Sequence, residues 1–239
     1  MKGLDAYKLK WMAIIGMFVC HIYHLRSALP IPAWSQYLIY AAGGLTFPIM
    51  AFLAAEGYRH TSSVKKYLLR IFLFALAAQV PYMLVRQGKW YSLNILFTIA
   101  LGILLLVLYD RIKRKVLFWF IFVAAIILSA TMDWPVSGPA MIVMYRLIPG
   151  ERLRRILPAL VFAAFNLILV LFVWAFASRM FWELLSFSLV SSASVFLILR
   201  YNGERGRPMK YFFYAFYPLH FVVLWGIALA LGVVKLPFA

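Results

Sequence analysis

Residues 43–83 read GGLTFPIMAFLAAEGYRHTSSVKKYLLRIFLFALAAQVPYM. An apolar run closes at Glu56, a short basic connection carries Arg59, His60, Lys65 and Lys66, and a second apolar run begins at once. A helix needs about 20 apolar residues to cross about 30 Å of hydrocarbon. Both runs reach that length once the first is extended back to Trp34 and the second forward to Val85. The stretch therefore predicts two membrane-spanning helices joined by a basic turn.

Working outward, the same alternation covers the chain. Apolar segments are predicted at residues 8–26, 34–57, 64–85, 92–109, 115–132, 135–149, 156–177, 180–200 and 209–231, an all-α polytopic bundle of about nine transmembrane helices. The sixth is short and opens with Pro135, Gly138 and Pro139, which predicts a broken or re-entrant helix facing protein. Gly43, Gly44 and Pro48 break the second near its middle, freeing backbone groups that either line a cavity or mark a packing kink. Turn signals stand at Pro30, Pro32, Gly88, Asp133 with Pro135, Gly150, and Asn202 to Pro208. The connections leave no room for a separate soluble domain, so residues 1–239 are read as one transmembrane domain.

Charge fixes the expected orientation. Lys2, Lys8 and Lys10 precede or open the first span. Every second connection then carries a cationic group: Arg59, Lys65, Lys66 and Arg70; Arg111 to Lys115; Arg146 to Arg155; and Arg200 to Lys210. Of the 24 Lys and Arg residues, only Arg26, Arg86, Lys89, Arg179 and Lys235 fall elsewhere. The positive-inside rule places the N-terminus in the cytoplasm, and an odd helix count puts the C-terminus outside. A net charge of +17 would suggest nucleic acid in a soluble chain. Here topology and anionic lipid headgroups account for it. Hydrophobic residues make up 66% of the chain and charged ones 13%, with a mean hydropathy of +0.91. The first span is read as a mature helix rather than a cleaved signal. A single cysteine, Cys20, excludes an intrachain disulfide, and an inert buried thiol is its expected state.

Polar groups inside the apolar runs are the candidate chemistry. His21 lies about 16 Å along the first helix from Lys10, near the bilayer midplane. Lys10, Ala13, Met17 and His21 form one stripe on that helix. His220 lies equally far along the last span, with Tyr217 on its face. An imidazole at that depth must face a partner or a wet cavity. One such histidine is as readily interhelical glue as function, but two at matched depth point to a site. His24 and His60 are read as interfacial. Glu56 ends the second span where Arg59, Lys65 or Arg70 can pair with it. Asn94 and Thr98 in the fourth span, and Glu183 with the serines of the eighth, are read first as packing groups. No phosphate-binding glycine loop, metal-ligand spacing or Gly-x-Ser-x-Gly elbow is present, so soluble hydrolase and metal readings fall away.

The block from Gly43 to Met83 resembles the TraX family of membrane proteins, and so do the first span through His21, LNILFTIALG from Leu93 and YFFYAFYPLH ending at His220. The stripe of Lys10, Ala13, Met17 and His21 is also similar to the Arg-x-x-Ala-x-x-x-Val-x-x-x-His signature of type-three membrane acyltransferases, with Lys for Arg and Met for Val. Lys keeps the charge and loses the bidentate fork. The resemblance implies a bacterial inner-membrane acetyltransferase moving acetyl from cytoplasmic acetyl-CoA, without a metal, to the N-terminal amine of a membrane or exported polypeptide. His21 would be the general base, with His220, Tyr217 or Asn94 orienting it or stabilising the oxyanion. Lys10, Arg59, Lys65 and Arg70 would hold the CoA phosphates at the mouth, beside Glu56. Members of the family carry Asp before the first-span His and Arg just before the second-span Phe-Pro. Here those positions are Cys20 and Gly44, and the joint loss of both charges suggests that they pair elsewhere in the family. Three other readings stay open: O-acetylation of a cell-envelope glycan, a transporter with midplane histidines, and a scaffold with no site.

Overall fold

A computed structural model describes residues 3–86, 91–174 and 178–233. Lys2, Gly88, Lys89 and Lys235 lie outside the described residues, as do the side chains of Arg179 and Lys210. The described residues form ten α-helices: α1 (Ala6–Ile22), α2 (Ala33–Ala41), α3 (Thr46–His60), α4 (Val64–Val85), α5 (Ile95–Arg111), α6 (Lys115–Leu128), α7 (Ser137–Leu147), α8 (Glu151–Trp174), α9 (Ser178–Leu199) and α10 (Lys210–Ala230). Among the described residues there is no β-strand, only isolated bridges pairing Leu4 with Tyr201 and Leu93 with Met132.

Each of the nine apolar stretches holds a helix, and the second holds two. Among the described residues, five helical segments are long and apolar enough to cross a membrane: Trp34–His60, Val64–Val85, Glu151–Phe172, Met180–Leu199 and Tyr211–Ala230. Helices of this kind point to a multi-pass membrane protein. The outer faces agree, since Phe120, Phe172 and Phe196 are each more than two-thirds exposed, a surface suited to lipid. The segment opening at Pro135 yields only the 11 residues of α7, about 16 Å of helix. That is half a bilayer.

The break in the second stretch has a specific form. Ala42–Leu45 winds as a 3₁₀ turn between α2 and α3. Its glycines let neighbouring backbones approach. A Cβ on Gly44 would lie 2.6 Å from the Phe187 carbonyl oxygen and 2.8 Å from the Ser191 nitrogen of α9. One on Gly43 would lie 2.6 Å from Cys20 Sγ, and one on Gly16 of α1 would lie 2.6 Å from the Ala42 carbonyl. Thr46 Oγ1 donates to the Ala13 carbonyl at 3.0 Å, adding a polar tie across the same junction. Small residues at such crossings replace the hydrophobic drive that lipid removes. Cys20 thus sits against Gly43, while Gly44 faces α9, so the two positions expected to pair are near neighbours that point to different helices.

Helix ends are closed locally. Asp5 accepts from the Lys8 amide at 2.8 Å at the start of α1, and Ser63 caps α4. The N-terminal strand of chain is stitched to the 200–204 connection by Leu4 N to the Arg200 carbonyl at 2.7 Å and Ala6 N to the Glu204 carbonyl at 2.9 Å. Elsewhere α8 and α9 form a long hairpin, α10 packs along α4, and α5 packs on α7.

Gly44→Ala forces a methyl into the backbone of α9, where nothing flexible can yield. A loss of about 1–3 kcal/mol is expected from overpacking. Denaturant unfolding of the detergent-solubilised protein checks this, and Gly203→Ala, at a position with open space but φ +85, serves as the contrasting strain control.

Candidate functional site

α1 and α10 are drawn together by a ladder of aromatic rings. Tyr7 and Trp11 meet Phe213 at 6.1 and 5.9 Å, Trp11 meets Phe212 at 5.3 Å, and Phe18 meets Phe216 at 6.4 Å. One step further along both helices, His21 and His220 come into contact. Their rings stack at 5.0 Å and 10°, with His21 Nδ1 2.8 Å from His220 Nε2. His220 is 3% exposed, and its Nδ1 lies 3.1 Å from the Phe216 carbonyl.

These contacts assign the protons. A carbonyl oxygen only accepts, so His220 Nδ1 carries hydrogen and donates to Phe216. An imidazolium without a carboxylate partner is costly in an apolar bundle, so His220 is neutral and its Nε2 accepts. His21 Nδ1 must then donate, which leaves the lone pair on His21 Nε2. That atom makes no hydrogen bond among the described residues. The arrangement is a base whose other nitrogen is fixed, the same logic by which a second group orients a catalytic histidine. His24 stacks on His21 at 5.9 Å, extending the imidazole column rather than standing apart at the surface.

A cavity of about 610 Å³ ends one helical turn short of this pair, and neither imidazole is part of its lining. Its inner wall includes Met17, one turn before His21, and Tyr217, whose ring lies 5.4 Å from that of His220. Its outer part carries Lys10, Arg70 and Arg205 with Glu56 and His60. The cavity therefore runs from a basic mouth to within a helical turn of the imidazoles. Its size falls within the range of about 300–1,000 Å³ usual for cofactor and substrate sites. Aromatic faces accompany the cations. Lys10 lies 5.5 Å over Phe213, and Arg70 is held between Tyr67 at 5.7 Å and Tyr214 at 5.4 Å. Among the described residues Arg70 Nε is buried without a hydrogen-bond partner. An orphaned guanidinium donor between aromatic planes fits an anionic, ring-bearing ligand. Among the described residues, no three His, Cys, Asp or Glu side chains converge where a metal could be held.

The other sequence candidates divide. Lys10, Arg70 and Glu56 line the cavity, and Tyr217 closes its inner end. Lys65 is exposed at the start of α4 outside that lining, and Arg59 is turned to Glu56 at 2.8 Å. Glu56 also meets His60 at 3.6 Å. Asn94 is elsewhere engaged: it caps α5 through Leu96 N at 3.0 Å and donates to the Ala75 carbonyl and Gln79 Oε1 at 2.8 and 2.9 Å. Its amide is spent on structure. Arg205 was not singled out by sequence because it lies in a loop whose charge topology already explained.

A second polar cluster lies on the far side of the pair. Arg86 follows the end of α4, about 24 Å along the axis from Arg70. Its Nη1 donates to Asp133 Oδ1 at 2.8 Å and to the Tyr82 oxygen at 2.5 Å, and Tyr82 donates to the same carboxylate oxygen at 2.6 Å. Asp133 is presented by a strained loop: Trp134 and Val136 have φ of 58° and 61°. Such conformations cost about 1–3 kcal/mol each and persist only where the surroundings over-determine them. Thr98 Oγ1 donates to the Asp133 carbonyl at 2.5 Å, Val136 N donates to Ser129 Oγ at 3.0 Å, and the Trp134 ring packs on Phe47, Phe162 and Phe187. Sequence reading gave Asp133 only as a turn signal.

Comparison with known proteins adds a family. The model of the family described as TraX protein matches residues 6–228. A protein of Dichelobacter nodosus, named as probable fimbrial assembly protein FimC of serogroup H1, is similar to the chain, 27% identical over 245 residues that cover 92% of this chain and 94% of that one. No solved structure matches.

The proton assignment is directly measurable. In ¹⁵N-histidine-labelled protein in bilayers at neutral pH, solid-state NMR should find His21 protonated at Nδ1 and bare at Nε2. The opposite tautomer at His21 would break the donor chain to Phe216.

Proposed function

Because the chain belongs to the TraX family of membrane proteins, we propose that it is a membrane-embedded acetyltransferase. It moves an acetyl group from acetyl-CoA to an amine, the N-terminus of a membrane or exported polypeptide. The observation that carries the reading is the cavity that runs from the cations Lys10, Arg70 and Arg205 to Met17 and Tyr217, one helical turn short of the His21–His220 pair. A relative named for fimbrial assembly is in keeping with a pilin-like polypeptide acceptor. In this reading all nine apolar stretches cross or enter the bacterial inner membrane, with the basic mouth cytoplasmic and the C-terminus external.

The residues divide the work by position. Arg70, Lys10 and Arg205 neutralise the phosphates of CoA, and Tyr67, Tyr214 and Phe213 offer faces to its adenine. The pantetheine arm follows the apolar wall past Ile14 and Met17 toward the imidazoles. His21 Nε2 accepts the proton that the attacking nitrogen sheds, and its Nδ1–H bond to His220 then becomes charge-assisted. His220 and the Phe216 carbonyl hold the base in the productive tautomer. Tyr217, buried beside them, also lines the cavity.

His21→Ala should lower acetyl transfer about 10²–10⁴-fold, the usual contribution of a general base, with CoA affinity retained. Arg70→Ala should show the converse, weakening CoA binding with folding intact. Transfer is followed by mass analysis of a peptide acceptor incubated with acetyl-CoA and the purified protein in nanodiscs. An adduct lost in mild base is an ester and favours the glycan-type O-transfer, whereas an amide survives. Unchanged turnover in His21→Ala removes the base from the mechanism.

A further inference from the structure

The imidazole pair lies between two polar regions, and only the basic cavity is accounted for by a donor. On the other side stands the Arg86–Tyr82–Asp133 cluster. Its place beside the pair is fixed by packing: the Tyr82 ring meets Phe221 edge-on at 5.4 Å, and Phe221 meets His21 at 4.8 Å and His220 at 4.1 Å. Arg86 is close enough for its charge to bear on His21, and that of Asp133 bears on Cys20 and Tyr217.

Within the cluster the carboxylate is only half used. Arg86 and Tyr82 both bond Asp133 Oδ1, while Oδ2 makes no hydrogen bond among the described residues. The Asp133 side chain is 22% exposed and that of Arg86 30%, so the cluster is not sealed within the bundle. A purely structural ion pair between a guanidinium and a carboxylate favours the two-pronged geometry that employs both oxygens. Here one prong is left over, on a strained loop that fixes its direction.

We propose that Asp133 Oδ2 binds the ammonium of the acceptor polypeptide's N-terminus, so that the acceptor reaches the imidazoles from the end of the bundle opposite the basic mouth. This rests on the acetyltransferase reading above and adds the acceptor's site to it. A terminal ammonium titrates near neutrality and gives one proton to solvent at Asp133. The neutral nitrogen, still donating to Oδ2, attacks the thioester carbonyl. The C–N bond forms and the C–S bond breaks, and the second nitrogen proton passes to His21 Nε2 and then to the leaving sulfur. The products are the amide, the free thiol of CoA and one proton in solvent. Arg86 and Tyr82 hold the carboxylate in place.

The test is binding first and turnover second. Full-length protein in nanodiscs is titrated with a synthetic peptide bearing a free N-terminal amine and with the same peptide N-acetylated. The free amine should bind about 10–100-fold more tightly, as expected of one hydrogen bond to a charged group. Asp133→Asn should erase that preference while leaving acetyl-CoA binding unchanged. Equal binding of the two peptides by the unmodified protein overturns the proposal without recourse to any variant. So does a preference that survives in Asp133→Asn. A preference present and lost as expected, with no acetyl transfer by the unmodified protein, keeps the ammonium site and rejects the acetyltransferase reading.

Discussion

An imidazole placed inside an apolar bundle has to commit its ring nitrogens, because water is not there to take them. The 2.8 Å contact between His21 and His220 is the commitment on which the rest of this molecule is arranged. It pins α1 to α10, which are otherwise joined by aromatic edges that would tolerate sliding. The ring ladder from Tyr7 to Phe216 sets approximate register, and the hydrogen bond with its fixed donors sets the final one. Stacked at 10°, the rings also bury each other's faces. The cost is that one nitrogen, His21 Nε2, makes no hydrogen bond among the described residues.

Backbone proximity around α1 follows from the same need. For His21 to face inward near its end, α1 must lie flat against the second apolar stretch over its whole length. Gly16, Gly43 and Gly44 make that approach available, and the 3₁₀ turn Ala42–Leu45 lets α3 set off in a new direction without leaving the contact. Ser191, whose hydroxyl is buried without a partner, lies against this turn from the α9 side. The turn is therefore the pivot between three helices rather than a defect in one.

Much of this was legible from residue order. Depth arithmetic from Lys10 and Met209 brought His21 and His220 to one level, because helical rise is regular and both helices start at the same end. The glycines and Pro48 marked the break for the equally general reason that they weaken a helix. The short sixth segment was visible from its prolines. What could not be read was anything depending on angle or long-range pairing. A 3₁₀ turn advances 120° per residue where an α-helix advances 100°, so which of Gly43 and Gly44 would face Cys20 was not determined by spacing. Asn94 is the packing group its residue type suggests, fully buried and spent on capping α5 and tying it to α4, which leaves its amide nothing for an oxyanion. Arg86 and Asp133 are joined across connections whose path the sequence does not specify, and Lys65 and Arg59 shared a basic loop with Arg70 although only Arg70 turns into the cavity.

The two ends of the site differ in a way that sorts ligands under the proposed reading. At the mouth, Lys10, Arg70 and Arg205 outnumber Glu56, which is itself occupied by Arg59 and His60. An ammonium is repelled there and a polyphosphate is drawn in. At the far end, Arg86 is matched by Asp133, and the surplus at reach is an oxygen, so the preference reverses. Charges act over longer distances in a poorly polarisable bundle than in water, and each end therefore discourages the other's ligand before contact. Between them sit aromatic rings and the neutral imidazole pair, which favour neither ion. In the proposed reading, donor and acceptor come to the imidazoles from opposite ends of the bundle. The polarity is written into which side chains stand at each end, not into any moving part.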